Sequence, residues 1–216
     1  GIVIVGSAHL PGGAPPTKEH IKGVIMGFDA RTGKKVWGFT PIPGHGEKGN
    51  ETWLNESWTF TGNTGSWAQM SADEALGLVY VPVEAPTGDY YGGHRPGDNL
   101  YSSSLVALDV KTGKMRWWFQ TTHHDIWDWD MPSAPILADI TVDGKAIKAV
   151  AVPTKQNYLY VFDRTNGSPV WPIVETAVPK GDLPGEWYAP TQPIPSKPPA
   201  FGRQGVKEAD LLNFTP

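Results

Sequence analysis

The sequence contains no cysteine. That excludes a disulfide scaffold, a thiolate metal site and a thiol nucleophile, and leaves the compartment open. No apolar run reaches the length that a membrane-spanning helix needs. Basic residues are not in excess either. Lys and Arg number 18 against 22 Asp and Glu, a formal charge of -4, so the basic stripe that marks a nucleic-acid binder is missing. A secretory leader is also lacking, because the chain opens directly in a strand-like run, residues 1–6. Domains rarely begin that way. The expectation is an internal piece of a longer protein, for which a missing targeting peptide carries no information.

What is present is aromatic and turn-rich. The 216 residues include 10 Trp, 25 Gly and 21 Pro, which favours short strands joined by many turns over a helical bundle. The length suffices for a sizeable core.

One frame recurs: Asp29, Gly33 and Trp37; Asp109, Gly113 and Trp117; Asp163, Gly167 and Trp171. Each Asp ends an apolar run, Gly follows four places on, and Trp four beyond that. Asp can bond the backbone of its own turn, and Gly supplies the positive φ that closes it, so the frame predicts a β-hairpin. The Trp then lies on the returning strand, placed to pack against the next unit. Apolar runs at residues 1–6, 77–83 and 149–153 precede the three motifs, and still earlier strands are expected at 67–71 and 133–140. About four antiparallel strands per unit is the blade of a propeller. The chain thus divides into an incomplete blade at 1–40, blades at 60–120 and 132–175, and a Pro-rich extension at 176–216, whose stretch 178–199 leaves the pattern. An open solenoid is the structural alternative. Two polar, Gly-rich segments, 41–65 and 84–101, are too long for blade turns and suggest functional loops.

The densest chemistry is Thr121-Thr122-His123-His124-Asp125-Ile126-Trp127-Asp128-Trp129-Asp130. If extended, it places Asp128 and Asp130 on one face and the two indoles on the other. Carboxylates beside indoles are partly desolvated, which suits them as bases or as hard-oxygen ligands for calcium or magnesium. A solvated acidic loop with Trp packed between blades accounts for the same residues. Zinc is disfavoured, since adjacent histidines point apart and no third ligand has zinc-like spacing. Lys155 follows a strand and Trp67 lies outside the motif. Taken alone they read as a turn residue and a core residue.

With these residues in view, the chain resembles the eight-bladed quinoprotein dehydrogenases, whose tryptophan-docking motifs the Asp–Gly–Trp repeats match. The membrane-bound glucose dehydrogenase branch is similar through Tyr101–Asp109, His123–Asp130, Ala138–Val142 and Tyr188–Pro193. The resemblance implies an all-β fold, part of an eight-bladed propeller, and an oxidoreductase that uses pyrroloquinoline quinone (PQQ) with Ca2+ or Mg2+. It implies Asp128 as catalytic base and metal ligand, and Lys155 against the quinone's reactive edge. Trp67 becomes the indole floor under the cofactor. Thr87 stands where alcohol-oxidising relatives place a metal-ligating Asn. In the stretch Gly23-Val24-Ile25-Met26-Gly27-Phe28-Asp29 the family's Arg is replaced by Met, and Glu19 is the nearest acidic candidate for the ligand upstream of it. Lys at position 155, where alcohol-oxidising relatives carry Arg, favours a sugar or polyol substrate. The implied partners are that substrate and a quinone or cytochrome electron acceptor, in the periplasm, with a membrane anchor possible outside this chain. The rival class is a non-catalytic propeller scaffold for protein assembly, which would not need Trp67, Asp128 and Lys155 outside the docking repeats.

Overall fold

The computed structural model describes residues 1–7, 17–212 and 214. Strands β1 (Ile2–Val5), β2 (Ile25–Asp29) and β3 (Lys35–Phe39) form an antiparallel sheet in chain order. Strands β4 (Ser71–Asp73), β5 (Leu78–Pro82), β6 (Ser104–Asp109) and β7 (Met115–Gln120) form a four-stranded meander. A third sheet joins β8 (Ile136–Val142), β9 (Lys145–Pro153) and β10 (Leu159–Asp163). Strands β11 (Ile173–Ala177) and β12 (Thr191–Pro195) pair as a hairpin.

The repeat builds the turn that its residue types dictate. Asp29 Oδ1 accepts bonds from the Arg31 and Thr32 amides and from the Thr32 hydroxyl, and Asp109 does the same with Lys111 and Thr112. The following glycines, Gly33, Gly113 and Gly167, all have φ near +70° to +80°. Each docking indole then reaches forward. Trp37 lies on Gly113 and donates from Nε1 to the Val110 carbonyl at 2.9 Å; Trp117 lies on Gly167 and donates to the Arg164 carbonyl at 3.2 Å. Both acceptors follow the motif Asp by one residue, so the two indoles are equivalent. Trp171 stands outside any strand ladder, because the return strand of the third sheet shrinks to one bridge, Phe162 to Pro169.

The middle sheet is buried on both faces, which is why its strands read as unbroken apolar runs. Leu78, Tyr80, Leu105 and Ala107 pack with Val150, Val152, Tyr160 and Phe162 of the third sheet. Their alternates Val79, Val81, Val106 and Leu108 pack with Ile25 and Trp37 of the first.

Three expectations need correction. Residues 67–71 are loop except for Ser71, and the strand is β4; Trp67 instead bonds the Asp130 carboxylate through its indole. The third sheet has three strands, and its first begins at Ile136. The Pro-rich stretch contains β12, whose prolines Pro193 and Pro195 sit in a two-stranded hairpin where a missing N–H is tolerated.

Docking gives a direct test. An alanine side chain at Gly167 would stand 2.7 Å from the Trp117 ring, at a φ of +79°. Gly167→Ala is therefore expected to destabilise the fold by about 1–3 kcal/mol, read as a lower urea midpoint at unchanged slope.

Candidate active site

Four segments meet beside the middle sheet: the loop before β4, the 84–101 loop after β5, the 121–130 crossing after β7, and the turn after β9. The crossing is not extended, as the alternation argument assumed. It turns at Asp128, whose φ is +55°, a conformation that Asp tolerates better than most residues. Trp127 and Trp129 consequently stack on each other, with centroids 5.8 Å apart.

Asp130 is the hub. It is 5% exposed. Its Oδ1 accepts from the Ala85 amide at 2.7 Å, and its Oδ2 from Trp67 Nε1 at 3.2 Å and Lys155 Nζ at 3.1 Å. The Asp130 carbonyl also accepts from the Lys155 amide at 3.2 Å. Lys155 Nζ bonds Asp128 Oδ2 at 2.9 Å as well and lies 5.6 Å from the Trp67 ring centre. The Trp67 indole is 47% exposed. The structure thus brings Trp67, Asp128 and Lys155 together around a carboxylate that the motif reading treated only as a companion.

Thr87 is fully buried in the adjoining loop, and its Oγ1 has no partner. Its carbonyl accepts from Arg95 Nε and bonds His94 Nε2, each at 3.1 Å. Arg95, itself fully buried, bonds Asn99 Oδ1 and the carbonyls of Gly88 and Asp125. That staples the Thr87 loop to the Asp128 segment. Glu19 stands apart: it is exposed, its amide bonds the Thr17 hydroxyl, and its side chain bonds none of these residues.

The field is acidic. Burial, then Asp130, pushes Asp128 above the ordinary carboxylate range, although its bond to Lys155 opposes this. Burial alone would lower Lys155, but its bonds to Asp128 and Asp130 outweigh that and raise it. Two further carboxylates escaped the sequence reading. Glu84, which accepts the Gly65 amide at 2.8 Å, is pushed up to about 7 by burial and by Asp130, Asp89 and Asp128. Asp89 is pushed up to about 6 by burial and by Asp128, Asp130 and Asp125. An acidic residue directly after a buried strand was the only signal for Glu84.

Sheets chained by forward-reaching indoles, with one cluster of indole, ammonium and carboxylates at their loops, define a tryptophan-docked β-propeller. Comparison with known proteins narrows the class. The family model "Glucose/ethanol/alcohol dehydrogenase, beta-propeller domain", for PQQ proteins, matches residues 1–216, and the chain belongs to this family. It is 44% identical to the quinoprotein glucose dehydrogenase of Escherichia coli (strain K12) over 80% of this chain and 21% of that protein. It is 40% identical to the glycerol dehydrogenase large subunit of Gluconobacter oxydans (strain 621H) over 100% of this chain and 29% of that one. The quinohemoprotein alcohol dehydrogenase from Comamonas testosteroni superposes with a TM-score of 0.68 at 28% identity, covering 90% of this chain and 30% of that chain. The chain therefore spans between a fifth and a third of the length of these relatives. No helix among the described residues is long and apolar enough to cross a membrane.

Proposed function

We propose that the protein carrying this chain oxidises a hydroxyl of a sugar, polyol or other alcohol, using pyrroloquinoline quinone and a divalent metal. The observation that carries the reading is Lys155: its ammonium sits beside an exposed indole and is held there by two carboxylates. An open aromatic face with a cation beside it fits a flat, anionic cofactor. For the metal, Asp128 Oδ1 accepts no hydrogen bond among the described residues and Thr87 Oγ1 is a buried orphan. Both are hard oxygen donors suited to calcium or magnesium. Among the described residues no three His, Cys, Asp or Glu gather as a complete metal site, so these donors supply part of a shell. When bound, the quinone supplies the hydride-accepting carbonyl and the metal supplies Lewis acidity.

The chain's own residues do the rest. Asp128 takes the substrate hydroxyl proton, and its raised affinity for protons makes it a stronger base than an ordinary aspartate. Lys155 offers an ammonium to negative charge developing at the cofactor edge. Trp67, fixed through Nε1 by Asp130, presents its ring face. Lys155 at this position, together with the glucose and glycerol dehydrogenase relatives, supports a sugar or polyol over a simple alcohol. The electrons would pass to a quinone or cytochrome in the periplasm, with any membrane attachment lying outside this chain. A pure scaffold has no use for an exposed indole beside a lysine that two aspartates hold.

The test is dye-linked oxidation by the protein carrying this chain, loaded with quinone and calcium, on glucose, glycerol and ethanol. Turnover on none of them overturns the reading. Lys155→Ala is expected to slow cofactor reduction by about 10²-fold or more while metal content stays near parental. Rapid-mixing absorbance and metal analysis check the two halves.

A further inference from the structure

The His123-His124 pair belongs to no metal-binding cluster among the described residues, and the structure uses both rings. His123 Nε2 meets Glu175 Oε1 at 3.1 Å on the exposed side of the β11–β12 hairpin. His124 Nε2 meets Glu186 Oε1 at 3.0 Å, with side chains only 1% and 0% exposed. This second contact joins three segments that are distant in sequence. Glu186 Oε2 accepts the Gly92 amide at 2.7 Å, and Oε1 also accepts the Trp187 amide at 2.9 Å. His124 Nδ1 faces the Gly97 carbonyl at 2.9 Å and Asn99 Oδ1 at 3.2 Å. The Trp187 ring meets the imidazole edge-on at 4.8 Å.

Both ring nitrogens therefore face oxygen. The Gly97 carbonyl can only accept, so the ring donates to it from Nδ1, and Nε2 shares a hydrogen bond with Glu186 Oε1. A buried hydrogen-bonded pair of this kind has no water to replace a lost partner, so it holds its segments in one arrangement. The packing agrees. A side chain at Gly92 would stand 2.7 Å from His124 Nε2, and one at Gly93 would stand 2.4 Å from the Gly185 carbonyl. The loop so gripped begins at Thr87 and carries Asp89, which feels the charge of Asp128, and the exposed Tyr90 and Tyr91. His124 itself lies four residues before Asp128. His124 thus bonds both the 88–98 loop, at Gly97, and the β11–β12 connection, at Glu186.

We propose that Glu186 and His124 are positioning residues that set the 88–98 loop against Asp128 and so shape the substrate side of the site. This rests on the proposed oxidation of a hydroxyl for its kinetic arm, and has a structural arm that does not.

In the protein carrying this chain, loaded with quinone and calcium, Glu186→Ala is expected to raise KM for glucose or glycerol by about tenfold with cofactor and metal content unchanged. Amide hydrogen exchange in a peptide covering 88–98 should quicken in parallel. Glu186→Gln should restore both in large part, because its amide can donate to Nε2 while its oxygen accepts from Gly92, and only the Trp187 amide loses its acceptor. Gly92→Ala leaves both side chains in place and pushes the loop off them, so it should reproduce the alanine phenotype even if Glu186→Ala does not fold. Exchange at 88–98 that stays parental in Gly92→Ala and in any folded Glu186→Ala protein overturns the inference. So does a KM that stays parental while exchange quickens. If the parental protein oxidises none of the substrates, the functional reading fails and the exchange result still decides whether the pair holds the loop.

Discussion

Asp128→Asn, in the loaded protein carrying this chain, is expected to keep its fold and lose about 10²–10⁴-fold in turnover. The backbone favours survival: Asp128 sits at a φ of +55°, which Asn adopts as readily as Asp, and one amide oxygen can still face Lys155. What Asn lacks is an atom that takes a proton. Hydrogen bonding also distinguishes the three aspartates of this segment. Asp125 is fully buried, and its two oxygens accept from the Ser103 hydroxyl and the Trp127 and Trp129 amides. Asp130 is bonded through both oxygens to three donors. Only Asp128 keeps an oxygen open among the three. Metal affinity should weaken too, because an anionic ligand becomes neutral. Dye reduction with parallel quinone and metal analysis is the measurement. Parental turnover in the fully loaded variant would remove Asp128 from the mechanism.

Asp130→Ala should act on the frame of the site. It strands the buried Ala85 amide, frees the Trp67 indole and takes one of two anions from Lys155. Because the Lys155 side chain is 31% exposed, the loss should fall somewhat below that of a fully buried pair, at about 2–4 kcal/mol. A lower denaturation midpoint and reduced quinone content should appear together. Asp130→Asn, which keeps one acceptor, should lose less of both. An Asp130→Ala protein with parental midpoint and full quinone content would show that the three side-chain bonds carry nothing.

Legibility in the sequence followed locality. The turn at Asp109 and Gly113 closes within five residues, so its chemistry is written in one short stretch, and the propeller followed from repeating it. Trp67 and Lys155 could be nominated only through resemblance, Asp128 already stood out in its acidic, indole-rich run, and the structure joins the three through bonds spanning 25 to 63 residues. The role of Asp130 escaped notice because a hub is defined by its donors, and those lie on three other segments. The partners of His123 and His124, 52 and 62 residues away, were hidden for the same reason. Strand β12 was masked by its prolines, which composition reads as loop and an edge hairpin accommodates.

The docking indoles also give the propeller a polarity. Trp37 grips the turn at Gly113, and Trp117 grips the turn at Gly167; neither turn grips back through an indole of its own. A lesion in a turn should therefore be sensed one blade upstream, by the residue whose anchor has moved, sooner than by the blade that follows. In the Gly167→Ala protein the Trp117 indole proton should exchange with solvent faster while that of Trp37 keeps its parental rate. Damage would then propagate around the ring against the direction of the chain.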